Sequence, residues 1–253
     1  MSAVIVPDII VPAWPAAAGI RAAFTLRTGG VSRPPFDQCN IASHVGDDPQ
    51  AVAENRGRLR AILELPAEPA WLEQVHGHRA VDLDRQTSLG SLGPADASVA
   101  RTPGRICAIQ VADCMPVLLA AADGSAIGAA HAGWRGLAGG VLEAAVRAMR
   151  TPPEELLAWL GPAIGQAHFE VGEEVRAAFL TADTGAAAAF TANTRGRWQC
   201  DLYALARRRL AALGLPAPAV FGGGWCTYAE AHRFFSYRRD GRCGRMAALI
   251  WRA

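Results

Sequence analysis

Lysine is absent from this chain, so all 25 of its basic residues are arginine. That excludes a Schiff-base lysine and the lysine of a phosphate-binding P-loop, and it leaves anion binding to guanidinium groups and backbone N–H. Charge of one sign is also lacking: 25 basic against 23 acidic residues leave a net +2. No strong field gathers nucleic acid or an anionic membrane, so neither is expected as a partner. Long hydrophobic runs are missing. The apolar opening, MSAVIVPDIIVPAWPAAAG, has no basic leader and is broken by Asp8 and by Pro7, Pro12 and Pro15. Nothing approaches the roughly 18 uninterrupted apolar residues of a membrane span. Six cysteines (Cys39, Cys107, Cys114, Cys200, Cys226, Cys243) occur without any C-x-x-C spacing. They are expected to be reduced thiols in an unexported, cytoplasmic protein. A dinucleotide fingerprint between strand and helix, a G-x-S-x-G elbow and an H-E-x-x-H helix are absent too.

What is present is a folded globular composition, 51% hydrophobic and 19% charged over 253 residues, enough for a sizeable core without disulfides. No repeat or long linker divides the chain, and residues 1–253 read as a single domain. Asp48 and Pro49 suit the start of a helix reaching Leu63; Asp201 opens another, with Leu202, Leu205, Leu210 and Leu213 on one stripe, stopped by Gly214 and Pro216. A third helix is expected from about Leu137 to Arg150, and the alanine-rich Gly185 to Phe190 reads as a loop or helix edge. Short apolar runs bounded by Gly, Pro or Asp predict strands at Trp71 to Val75, Ile106 to Val111, Val117 to Ala121, Ala126 to Ala130, Leu156 to Leu160 and Met246 to Trp251. The irregular alternation predicts an α+β fold with buried sheet.

The most informative stretch runs from Ala112 to His131. Asp123-Gly124 between two apolar runs is a strong hairpin signal. Centring the turn there places His131 opposite Pro116 and Cys114 opposite Gly133. Cys114 and His131 are then diagonal neighbours on one face, about 7–8 Å apart at Cα. That spacing suits two ligands of one metal ion, or a nucleophile and its base. A third ligand could come from His76, which follows a short apolar strand and precedes Gly77, or from His78. Without a metal, Cys114 would be the nucleophile and His131 the base of a hydrolase. The blander reading makes Cys114 and Trp134 core residues and Arg135 a surface charge.

Taken in order, several motifs resemble one family. Gln74-Val75-His76-Gly77, Ala112-Asp113-Cys114-x-Pro116 and Ala130-His131-Ala132-Gly133-Trp134-Arg135-Gly136 are similar to signatures of the bacterial multicopper polyphenol oxidase (laccase) family, also described as purine nucleoside phosphorylase-like and associated with peptidoglycan editing. The opening block, Arg27-Thr28-Gly29-Gly30-Val31-Ser32, Asn40, His44-Val45-Gly46-Asp47-Asp48 and Asn55-Arg56, resembles it as well. So do Gly161-Pro162-Ala163-Ile164-Gly165, Phe169-Glu170-Val171-Gly172, Asp201-Leu202, Cys226-Thr227 and Phe234 to Gly241 with Gly244-Arg245. Cys39 and Cys243 depart from the expected serine and threonine.

The resemblance implies a single α+β domain, mixed β-sheets layered between helices, and a mononuclear zinc site held by His76, Cys114 and His131. It implies phosphorolysis of adenosine, inosine or methylthioadenosine, and deamination of adenosine. Copper at the same site would give a polyphenol oxidase side activity; several coppers would need more histidines than six scattered ones supply. The family's peptidoglycan association fits the metal-free Cys114–His131 hydrolase or amidase. Asp113 joins the three ligands as a catalytic candidate, with Glu73 as an alternative acid. Arg27, Arg135, Arg238 and Arg245 fall within family-like motifs and are candidate phosphate or substrate contacts, together with Asn40 and His44. The expected partners are a purine nucleoside and phosphate, and the expected state is a monomer or weak dimer.

Overall fold

The computed structural model describes residues 8–88 and 92–253; the first seven residues of the apolar opening lie outside that range. Two stacked sheets form its centre. In the five-stranded sheet, Met246–Arg252 is flanked by Ile20–Thr25 and Ile106–Val111, with Ile9–Ile10 and Ala70–Trp71 at the edges. The six-stranded sheet is built around Met115–Ala121, between Leu156–Leu160 and Ile127–Ala132. Both sheets are mixed: Ala70–Trp71 pairs parallel to Ile106–Val111, and Val220–Gly222 parallel to Leu156–Leu160. A three-stranded antiparallel sheet of Glu170–Val171, Trp198–Cys200 and Phe190–Ala192 stands apart.

The alternation of side chains along the strands divides the core. Leu118, Ala120, Ile127 and Ala129 of the six-stranded sheet face Phe24, Cys107, Ile109, Ala248 and Ile250 of the five-stranded one. The opposite face, with Val117, Leu119 and Ala130, is covered by Leu142, Ala145, Val146 and Met149 of one helix and Leu205 and Leu210 of another. On the far side of the five-stranded sheet, Leu59 packs with Ala108, Ala247 and Leu249. The layers therefore run helix, sheet, sheet, helix, the α+β arrangement expected. Among the described residues no helix is long and apolar enough to cross a membrane.

Helix signals held where a side chain caps the first turn. Pro49–Ile62 starts after Asp48, whose carboxylate accepts from the Gln50 N–H, and Leu202–Ala212 starts after Asp201, which accepts from Ala204. The helix expected over 137–150 begins earlier and is broken in two. Trp134–Gly139 ends at Gly140, whose φ of 94° no longer fits a right-handed helix, and Val141–Met149 resumes beyond it. The strand expected over 71–75 is only Ala70–Trp71, because the chain leaves the sheet and passes into a left-handed residue at His76, φ 60°. The alanine-rich stretch is a 3-10 segment, Thr184–Ala189, capped by Asp183.

Candidate metal centre

The hairpin forms in the register expected, Pro116 facing His131 and Met115 facing Ala132, but its tight turn spans Ala121 to Gly124, with Ala122 and Asp123 central and Gly124 following at a positive φ of 78°. Cys114 lies just before one strand and His131 one residue before the end of the other, so both reach the open end of the hairpin. Gly133, next to Cys114, leaves room for the sulfur; a Cβ there would sit 2.7 Å from Cys114 Sγ.

His76 arrives from a different part of the chain, and the buried Asp96 brings it in. The Asp96 carboxylate accepts from the N–H groups of Val75 at 3.2 Å, His76 at 2.9 Å and Gly77 at 2.7 Å, fixing the tight turn. The same carboxylate bonds His131 Nδ1 at 2.8 Å, which leaves His131 Nε2 free to face Cys114 and His76. One residue thus sets two of the three candidate ligands. Sequence reading passed over Asp96, although a carboxylate between Ala95 and Ala97 in an apolar run was a visible signal.

The ligand atoms of His76, Cys114 and His131 lie within 4.8 Å of one another, and the two imidazole rings are 4.8 Å apart at their centroids. Among the described residues this is the one cluster of its kind, and His78 and Glu73 do not belong to it. Two imidazoles and a thiolate within this span, backed by a carboxylate, are a donor set that fits a single metal ion of borderline softness. The electrostatics favour the ligating form of the sulfur. Burial alone would push the Cys114 thiol up, but the adjoining His131 and His76 bring it down to about 6. Burial would lower His131 in turn, and the Cys114 thiolate and Asp96 outweigh it and raise the imidazole. Asp96 stays below the usual carboxylate range despite its burial, held by the His131 hydrogen bond and the N–H groups of Gly77 and Val75.

The cluster forms part of the wall of a cavity of about 550 Å³. His131 is buried, Cys114 half-buried and His76 exposed, so the centre is open to solvent on one side. His44, Arg135, Arg238 and Arg245 line the same cavity; Arg27 and Asn40 do not. The Arg27 guanidinium is committed to the carbonyls of Asp37 and Ala231 and to the Asp37 carboxylate. Asn40 is fully buried, and its Oδ1 accepts from the Arg245 N–H, so it sets the backbone that carries Arg245. Arg135 lies over the Trp134 ring at 4.4 Å, with no hydrogen bond or ion pair among the described residues. Arg238 and Arg245 each spend one nitrogen on backbone carbonyls, of Glu170 and of Cys243 and Gly244. Burial, then the charges of Arg245 and Arg56, hold the His44 imidazole below its ordinary range.

Asp113 also lines the cavity, but both its carboxylate oxygens are occupied. Thr227 Oγ donates to one at 2.6 Å and the Arg238 N–H to the other at 2.7 Å. It ties two loops to the residue preceding Cys114.

Comparison with known proteins agrees across almost the whole chain. The family model described as multi-copper polyphenol oxidoreductase laccase matches residues 21–253. A protein of Escherichia coli (strain K12) named purine nucleoside phosphorylase YfiH is 50% identical over 243 residues, covering 96% of this chain and 98% of its own. A Pseudomonas aeruginosa protein, also named a purine nucleoside phosphorylase, is 51% identical over 243 residues, with 96% of this chain and 97% of the relative covered. The crystal structure of a Neisseria meningitidis protein superposes with a TM-score of 0.91 at 46% identity, over 97% of this chain and 99% of that one.

Proposed function

This chain belongs to the multi-copper polyphenol oxidoreductase laccase family, and we propose that it works as a metal-dependent purine nucleoside enzyme, cleaving nucleosides with phosphate and deaminating adenosine. The observation that carries the reading is the placement of His76, Cys114 and His131 on the wall of a cavity that Arg135, Arg238 and Arg245 also line. His76, Cys114 and His131 would hold the ion, with zinc the best match to a thiolate and two imidazoles, and it would supply Lewis-acid polarisation and a more acidic bound water.

The chain's own residues then divide the work. Phosphate carries up to two negative charges, and the guanidinium of Arg135, unpaired among the described residues, would face it with Arg238 and Arg245 beside it. Holding the phosphate against the sugar carbon turns an encounter between two solutes into a positioned reaction. Negative charge builds on the departing base, and His44, kept neutral by its surroundings, is a donor that adds no fixed charge. Asp113 acts by position, locking the Arg238 backbone and the Thr227 loop beside Cys114. Asp96 keeps His131 in the tautomer that points Nε2 at the centre. Six free cysteines suit a reducing compartment, so we place the protein in the cytoplasm. All three ligands come from one chain, so a monomer or weak dimer suffices.

Two other readings use the same cluster. Copper in place of zinc would give polyphenol oxidation. Without metal, the lowered Cys114 thiol and His131 would form a nucleophile and base for a hydrolase or amidase. One experiment separates them. Protein purified without added metal should carry about one zinc per chain and release adenine from adenosine only when phosphate is present, with inosine forming regardless of phosphate. Cys114→Ala should end both reactions. Turnover that persists in Cys114→Ala, or metal-free protein at full activity, overturns the metal-centred reading.

A further inference from the structure

One polar side chain in the cavity wall has no task in the scheme above. Gln110 sits at the end of the Ile106–Val111 strand and lines the cavity, yet only 7% of it is exposed. Its backbone is clamped on both sides. Ala247 pairs with it across the sheet, and the Gln74 carboxamide accepts from the Gln110 N–H at 2.8 Å while donating to its carbonyl at 2.9 Å. Gln74 thus continues the strand pairing that the chain abandoned after Trp71, with both the oxygen and the nitrogen of its amide engaged. The Gln110 amide is not: its Oε1 is buried without a partner, and its side chain makes no hydrogen bond among the described residues. Folding does not place a carboxamide in such a position without cost, since a buried polar group is ordinarily paired.

We propose that the Gln110 carboxamide reads the purine base through its 6-substituent; this rests on the purine-nucleoside reading above. A neutral amide offers a donor next to an acceptor, the complement of the 6-amino donor and N7 acceptor of adenine, whereas phosphate offers acceptors alone and is better matched by guanidinium. The apolar Val111 and Ala112 line the same cavity. Rotation of the amide end turns either oxygen or nitrogen toward the cavity without moving the strand. The rigid backbone means that the base is met by a group already in position.

The test compares adenosine with purine riboside, which has no 6-substituent, in one preparation. The readout is the ratio of their kcat/KM values for phosphate-dependent base release. Wild-type protein should favour adenosine by about tenfold or more, since a site with a buried hydrogen-bonding group discriminates against a substrate that leaves it unpaired. In Gln110→Leu the ratio should collapse toward one. Because both substrates are measured on the same sample, partial unfolding cancels. Should the leucine variant fail to fold, Gln110→Met, unbranched and of similar length, is read in the same ratio. A ratio that stays within about twofold of wild type in a folded variant overturns the assignment of Gln110 and leaves the purine-nucleoside reading standing. Absence of base release from either nucleoside by the metal-loaded wild-type protein overturns both.

Discussion

Asp96→Asn is the perturbation that most directly tests how the centre is assembled. The native carboxylate accepts four hydrogen bonds, from the N–H groups of Val75, His76 and Gly77 and from His131. An asparagine side chain keeps one acceptor oxygen and turns an NH2 toward the donors that the other oxygen served. Two donors are then unpaired, at about 1–3 kcal/mol each, which sets a range of about 2–6 kcal/mol. Val75 is 53% exposed, so the turn can relax toward water, and the lower part of the range, about 2–3 kcal/mol, is expected. The larger effect falls on the ligands: one oxygen serves Val75 and Gly77 and the other serves His76 and His131, so the amide in one orientation loosens the turn that carries His76 and in the other unpairs His76 and His131 themselves. Loss of such supporting contacts weakens metal binding by about 10–100-fold.

The assay is urea unfolding of metal-free protein alongside zinc competition against a chromogenic chelator. The pH dependence provides a second check. Asp96 has a depressed folded pKa, so its stabilisation is present above the unfolded value, about 3.9, and is lost as pH falls through the folded value. The stability gap between wild type and variant should be full at pH 7 and close below about pH 4. A variant that is destabilised as expected yet binds zinc within about threefold of wild type would refute the reasoning, since Asp96 would then support the fold without setting the ligands.

Three further outcomes are expected. In metal-free protein, the Cys114 thiol, lowered to about 6, should react with iodoacetamide at a rate that rises with pH through that value and levels off above it. Cys39, Cys107 and Cys200, raised to about 12 chiefly by burial, should stay inert, and zinc should protect Cys114; a midpoint near 9 for Cys114 contradicts the assigned pairing. Gly133→Ala would put a methyl carbon 2.7 Å from Cys114 Sγ, so metal content should fall while the circular dichroism spectrum is retained; full zinc occupancy counts against the crowding argument. Leu118→Ala, between the two sheets, should cost about 2–5 kcal/mol in denaturant unfolding, and a loss under 1 kcal/mol would show that the inter-sheet core collapses around the gap.

Much of the centre could be read from local rules because two of its ligands share one hairpin. The Asp-Gly turn set the register, the register set the faces, and Cys114 and His131 followed. Helices capped by Asp48 and Asp201 were legible for the same reason: the signal lies within a few residues of the structure it specifies. The failures came where distant residues decide. Gly140 does not announce from sequence whether it bends or ends a helix. The strand expected after Trp71 was cut short by a turn that Asp96, twenty residues on from His76, holds in place. Arg27 and Arg135 look alike as motif arginines, yet Asp37 and Ala231 occupy the first and, among the described residues, nothing ion-paired holds the second. Gln110 reads as one polar residue in an apolar strand until its neighbours show which of the two glutamines is idle.

The hairpin also insulates the centre from its own turn. About six residues of strand, roughly 20 Å, separate Asp123-Gly124 from Cys114 and His131. Strand side chains alternate, so a one-residue slip of the pairing would turn the imidazole to the opposite layer, and the second pairing, of Ala97 with Ala130, holds that arm against such a slip. With strands paired on both of its sides, the imidazole-bearing arm keeps its facing while the remote tip is free to vary in length.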